Sequence, residues 1–148
     1  MNASNRLKPI KKLADNKEKE AAQNLGKSVE YRKLQINKLA QLRNYRTEYI
    51  NSMSIKTQQG MYGDQLQQYH LFLTKLDTAI EQQQMVVHES ERSVLESQDS
   101  WRTDSGRANA IGSAIKKMKT KENFEKDKRE SAQLDELSTQ AFLRQKRF

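Results

Sequence analysis

The chain of 148 residues has no cysteine, which removes disulfide staples and thiolate metal sites from consideration. It has one proline and five glycines, so helices have few places to break. Hydrophobic residues make up only 34% and aromatics 7%, too little for the core of a compact globule of this length. Two states suit such a composition: a disordered chain, or extended helices that bury a narrow stripe. Long apolar runs are also missing. The longest are three residues, such as Leu71-Phe72-Leu73, and none can span a membrane. The opening MNASNRLKPIKK is basic but has no apolar run behind it, so it does not read as a secretory signal. These absences lead to the expectation of a reduced, soluble, cytoplasmic protein.

What is present is a repeat. Leu66, Leu73, Ile80, Val87, Val94, Trp101, Ala108 and Ile115 stand seven apart and are all apolar. A strict seven-residue period keeps one stripe of an α-helix facing a partner helix, the condition for supercoiling. These eight are the expected coiled-coil seam. The companion positions three residues on read Tyr69, Leu76, Gln83, Ser90, Ser97, Asp104, Ile111 and Met118, apolar at both ends and polar in the middle. Polar seam residues lower stability and help specify register. A hairpin of modest stability with a flexible centre follows.

The only good mid-chain turn signal is Gln58-Gln59-Gly60-Met61-Tyr62-Gly63-Asp64. Asp64 followed by Gln67 resembles an N-cap and its reciprocal partner. Pro9 suits a first helical turn. The expected fold is therefore all-α: one domain over 1–148, with helix 1 at about 8–55, a turn at about 56–63 and helix 2 at about 64–142. At 1.5 Å per residue these helices would be roughly 70 Å and more than about 100 Å long. A short turn makes them antiparallel neighbours, with residue i beside residue 120 − i. Helix 1 offers Leu7, Ile10, Ala14, Ala21, Leu25, Val29, Ile36, Leu39, Leu42, Tyr45, Tyr49 and Met53 to the seam. Trp101 would face the small pair Ala21-Ala22, and the second helix would overhang beyond Ile115.

The net charge of +8 is unevenly spread: +8 over residues 1–46, −5 over 47–100 and +5 over 101–148. In an antiparallel hairpin the two basic segments meet at the open end and the acidic one forms the bend. Two readings stay open. Either the two ends engage different partners, or a solvated helix simply carries uneven charge.

Phe72, Leu76, Ala79 and Gln83 follow steps of four, three and four on a face about a quarter-turn from Leu73 and Ile80. A two-helix hairpin covers one apolar side, so this second side reads as a docking surface. The alternative is that the loop carrying Ile55, Met61 and Tyr62 folds over it. Trp101 lies in the seam register and is assigned to packing. His70 and His88 are 18 apart with no zinc spacing. There is no Gly-rich phosphate loop, and the carboxylates lie on exposed helix faces with no cleft to raise a pKa. No enzyme, metal site or cofactor is expected. The basic residues are interrupted by acidic ones throughout, unlike a nucleic-acid-binding basic helix, and residues 116–130 offer little apolar face for membrane insertion.

The order Leu7-x-x-Ile10-x-x-Leu13-Ala14, Ala21-Ala22, Leu25-Gly26, Tyr45-x-x-Glu48-Tyr49, Tyr69-x-x-Phe72-Leu73-x-x-Leu76-x-x-Ala79-Ile80, Trp101 and Leu134-Asp135-Glu136 resembles the flagellar export protein FliJ family over nearly the whole chain. The resemblance implies a soluble part of the flagellar type III export apparatus, similar in architecture to the gamma stalk of rotary ATPases. It implies three partners: the hexameric flagellar export ATPase, the cytoplasmic domain of the export-gate membrane protein, and export chaperones. The gate contact would fall on Phe72, Leu76, Ala79 and Gln83, where the last departs from the histidine some members carry. The architecture and the charge, with no matched motif, put the ATPase-ring contact on Arg6, Lys8, Lys11, Lys12, Lys116, Lys117, Lys119 and Lys121. Location would be cytoplasmic, peripheral to the inner-membrane export apparatus. The alternatives are an escort for export chaperones without mechanical coupling, and a generic basic coiled-coil scaffold.

Overall fold

The computed structural model of the protein describes residues 2–146; of the tail expected to fray, Arg147 and Phe148 lie outside the described residues. The described residues form two α-helices and no strand: α1, Ala3–Gln58, of 56 residues, and α2, Gly63–Lys146, of 84 residues. The all-α architecture with a longer second helix is as expected, but both helices run further. α1 starts early because the Asn2 carbonyl accepts the N–H groups of Asn5 (3.1 Å) and Arg6 (3.2 Å), closing a first turn ahead of Pro9. Pro9 therefore lies inside the helix rather than in its first turn. It offers no N–H to the Asn5 carbonyl, and both residues are solvent-exposed, so water can serve that oxygen.

The connection is only residues 59–62. Gly60 adopts φ 101°, a left-handed conformation that closes α1 while its N–H reaches the Thr57 carbonyl at 3.1 Å. Tyr62 stands at the cap position just before α2, its carbonyl accepting the Leu66 N–H at 3.0 Å. Asp64 is therefore not the cap. It sits within the first turn, where its charge suits the positive end of the helix dipole.

The chain divides into two compact units, one of Met1–Lys19 with Thr103–Phe148 and one of Glu20–Arg102. In the second, which contains the turn, α1 and α2 form an antiparallel hairpin. Its α1 seam alternates three and four residues through Ala21, Leu25, Ser28, Arg32, Gln35, Leu39, Leu42, Arg46, Tyr49 and Met53, all buried or half-buried. The facing seam is Tyr69, Leu73, Leu76, Ile80, Gln83, Val87, Ser90, Val94, Ser97 and Trp101, likewise withdrawn from solvent. Contacts such as Ser28 with Ser97, Gln35 with Gln83 and Tyr49 with Tyr69 fall within a few positions of the expected register. Leu66 is a correction. It stays exposed, because the seam closes at Tyr69, which stacks on Tyr49 with ring centroids 5.5 Å apart. Ile36 and Tyr45 are exposed too, since the seven-residue stripe of α1 passes beside them.

The polar middle of this seam is hydrogen-bonded. Gln83 Nε2 donates to the Gln35 carbonyl and to Gln35 Oε1, both at 2.9 Å. The hydroxyls of Ser28 and Ser97 lie 2.9 Å apart, and buried Ser90 donates to the Val87 carbonyl at 2.6 Å. Among the described residues no buried side-chain nitrogen or oxygen lacks a partner, the condition under which a polar layer is tolerated. At the edge Arg46 Nε donates to Asp77 Oδ1 at 2.6 Å, and this bond is the main cause of a guanidinium pKa above its ordinary value.

In the other unit the seam residues Ser4, Leu7, Lys11, Ala14 and Glu18 of α1 face Asp104, Ala108, Ile111, Ile115, Met118 and Glu122 of α2. Ala108 is 0% exposed and Ala14 is buried, so the helices approach closely. Gly112 is part of that approach: a Cβ there would lie 3.1 Å from Lys11 Cε. Pairing does not stop at Ile115. The Ser4 hydroxyl donates to Glu122 Oε2 at 2.7 Å and its backbone N–H donates to Oε1 at 3.2 Å. The pairing extends because α1 starts at Ala3. From residue 123 to 146 α2 remains helical and every residue is exposed.

Glu122 thus caps α1 from the other helix, satisfying one of the first free N–H groups. The two Ser4 bonds, the hydroxyl's foremost, hold its carboxyl below the ordinary carboxylate value. A lowered folded-state pKa stabilises the pairing above the ordinary value and loses that contribution as pH falls through the lowered one. Glu122→Gln should therefore melt below the wild type at pH 7. The gap should close in acid, as followed by circular dichroism; a gap independent of pH would refute the charged cap.

Candidate interaction surfaces

The four residues expected on an uncovered face prove to be divided. Leu76 is 7% exposed, inside the seam. Gln83 is tied to Gln35 in the same seam. Phe72 and Ala79 lie beside it, half-buried. The covering comes from α1, not from the loop: Phe72 packs on Tyr49 (centroids 4.6 Å) and edge-on to Tyr45 (6.3 Å, 81°). Ile55 and Tyr62 remain exposed at 59% and 82%. The expectation that this whole face is free is thus corrected. Leu76 and Gln83 instead take the companion seam positions that the repeat also offered them, three residues after Leu73 and Ile80.

The two lateral sides of the Glu20–Arg102 unit differ. One carries the Arg46–Asp77 bridge, with Glu81, His88 and Glu91 on the same flank of α2. The other carries Tyr31, Lys38 and Tyr45 of α1 beside Phe72, Ala79 and Val86 of α2, each set spaced seven apart. Two open grooves lie on this flank. One, of about 370 Å³, is lined by Lys38, Gln41, Leu42, Tyr45 and Gln83. The other, of about 520 Å³, is lined by Tyr31, Met85, Val86, Glu89, Ser90 and Ser93. The flank was not legible beforehand, although the seven-residue spacing of Tyr31, Lys38 and Tyr45 was the available signal.

Charge is sorted by unit more sharply than by segment. The Met1–Lys19 and Thr103–Phe148 unit holds 17 basic and 9 acidic residues, whereas Glu20–Arg102 holds 10 of each. The whole net charge of +8 therefore belongs to the first. The acidic stretch of α2 does not leave the hairpin negative, because it lies beside the basic middle of α1. All eight expected ring-contact residues fall in the basic unit. Lys8, Lys12, Lys116, Lys117, Lys119 and Lys121 are exposed. Lys11 differs: its stem lies over Gly112 in the seam and its ammonium pairs with Asp15. Beyond Glu122, α2 exposes Phe124, Leu134, Leu137, Phe142 and Leu143. Trp101 is half-buried in the seam, and the exposed His70 has its ring 5.2 Å from that of its neighbour Tyr69. No group of three or more potential metal ligands occurs among the described residues.

Each unit is an antiparallel helix pair; the Glu20–Arg102 unit has a polar-layered seam and an apolar flank, and the other unit holds the net charge. The family model of the flagellar FliJ protein matches residues 3–147, essentially the whole chain, and the chain belongs to that family. It is accordingly a non-enzymatic component of flagellar protein export. No curated protein and no solved structure matches it. No helix among the described residues is long and apolar enough to cross a membrane.

Proposed function

We propose that this chain acts as a stalk-like rod between the hexameric export ATPase and the cytoplasmic domain of the export-gate membrane protein, assisting export of flagellar substrates and their chaperones. The observation that carries the reading is the division of chemistry between the units. One holds the entire net charge, and the other is neutral with an apolar flank. A basic helical end with exposed Lys116, Lys117, Lys119 and Lys121 suits an acidic, ring-shaped site, where summed charge steers and aligns a partner. Phe72 and Ala79 border the apolar flank and are the gate-facing candidates; Leu76 and Gln83 support them from within the seam. Association with the inner-membrane apparatus would then run through the gate.

Reversing Lys116, Lys117 and Lys119 to Glu tests the ring contact, because these side chains are exposed and lie outside the seam. The triple variant should bind the ATPase at least roughly tenfold more weakly at low salt, with a smaller penalty as salt rises. Stimulation of ATP hydrolysis should fall with binding. Unchanged binding and stimulation would remove the stalk reading. Chaperone binding that persists without any ATPase or gate contact would favour a simple escort.

A further inference from the structure

We propose that the overhanging part of α2, residues 123–146, pairs antiparallel with the same segment of a second copy of this chain, burying Leu134 and Leu137 of both. Every residue of this segment is exposed, Leu134 at 65% and Leu137 at 62%. The stripe they form is not an unfinished part of the intramolecular seam. Continued by its steps of three and four beyond Met118 and Glu122, that seam passes through Glu125, Arg129, Ala132 and Glu136. Leu134, Leu137 and Ala141 lie about 160° round the helix from it, at roughly 100° per residue. A longer α1 would therefore leave them bare, and a helix that covers them approaches from the other side. Phe142 lies off this stripe, and its ring is faced by Lys146 of its own chain, Nζ 5.0 Å from the ring centre.

The stripe is complementary to itself. Its two heptad positions are filled by Asp127, Leu134, Ala141 and by Glu130, Leu137, Arg144. Antiparallel pairing sets one kind of position against the other, placing residue i opposite residue 271 − i of the copy. Leu134 then meets Leu137 twice, at the centre of the pair. Asp127 meets Arg144 twice, once at each end, and between these layers the small Ala141 faces the stem of Glu130. Beside the stripe Gln133 falls next to Gln140 and Ser131 next to Ser138, again twice each. A parallel pair would set Asp127, Glu130 and Arg144 each against its own like charge. The segment holds five basic and five acidic residues, so it carries none of the net charge of its unit. Glu122 of one copy is roughly 27 residues of helix, about 40 Å, from Glu122 of the other, several Debye lengths, so the basic stems do not repel. Two leucines per copy make a small interface of the transient class, which leaves the segment open to another partner.

Sedimentation velocity of the full chain, from low micromolar to millimolar concentration, tests the pairing. The average mass should climb from one chain towards two. Leu134→Glu changes an exposed position, so the monomer should melt like the wild type while the dissociation constant rises roughly tenfold or more. Asp127→Lys and Arg144→Glu should each weaken the pair several-fold, by setting like charges together at both ends. The Asp127→Lys/Arg144→Glu double variant should restore it. The two positions are 17 residues apart on one helix, about 26 Å, so only a contact between chains produces that rescue. A chain that stays monomeric throughout overturns the proposal, and loss of ATPase binding in Leu134→Glu would then assign the stripe to the ring. A dimer that ignores Leu134→Glu lies elsewhere, and one that the double variant fails to rescue has another register; either result overturns the antiparallel pairing.

Discussion

Leu76→Ala should unfold the Glu20–Arg102 hairpin at lower temperature, not merely weaken a partner. Leu76 is 7% exposed and stands in the seam beside the turn, next to the cluster of Tyr45, Tyr49, Tyr69 and Phe72. Truncating a buried leucine removes its transfer free energy and leaves a cavity, a loss of about 2–3 kcal/mol where neighbours relax only partly. For a segment of this size that lowers Tm by roughly 10 °C or more. The seam has few large apolar residues to spare, because Gln35, Ser28, Ser90 and Ser97 occupy its middle. Circular dichroism melts decide the matter. A variant that melts like the wild type but no longer binds the gate domain would return Leu76 to the contact surface. Phe72→Ala provides the contrast. Phe72 is half-buried at the border of the flank, so its removal should cost both stability and gate binding.

The second large effect is a reversal of sign in the Gln35–Gln83 layer. Gln83→Leu alone should destabilise the hairpin by about 1–3 kcal/mol, since the buried Gln35 amide oxygen, 6% exposed as a residue, loses its donor. The Gln35→Leu/Gln83→Leu double variant should recover that loss and melt at or above the wild type, because two apolar side chains replace a desolvated polar pair. The gain carries a cost in specificity. A single polar layer rewards one register, whereas Leu opposite Leu is satisfied by several. Single cysteines placed at seven-residue offsets, in a chain with none of its own, would report the extra registers as additional cross-links. A double variant less stable than the single one would mean that the layer is held by packing rather than by its hydrogen bonds.

Much of the architecture was visible: the Gly60–Gly63 turn signal located the turn and with it the antiparallel register, and the apolar repeat of α2 gave the packing role of Ile80, Val94 and Ala108. The partner stripe on α1 was harder to see. Ser4, Lys11, Glu18, Ser28, Arg32, Gln35 and Arg46 all face the seam, and hydrophobicity cannot find a seam position filled by a polar residue. Ile10, Ile36 and Tyr45 were taken into the stripe because they are apolar at helical spacing, yet the chain leaves them exposed. The start of α1 was missed for a related reason. Pro9 is the strongest local signal there, while the turn before it is closed by the Asn2 carbonyl and clasped by Glu122, 118 residues from its partner Ser4.

The sequence by itself determined two long helices, their antiparallel register and the linear order of charge, because seven-residue periodicity, Gly60 and the positions of Lys and Arg are local properties of the chain. Only the tertiary structure decided how far the second apolar side of α2 is covered, since the half-burial of Phe72 depends on where Tyr45 and Tyr49 of α1 come to lie. It also decided that the acidic stretch of α2 is offset by the basic middle of α1. Net charge is left in the unit containing both the α1 start and the α2 end, as neutralisation depends on which charges are neighbours in space.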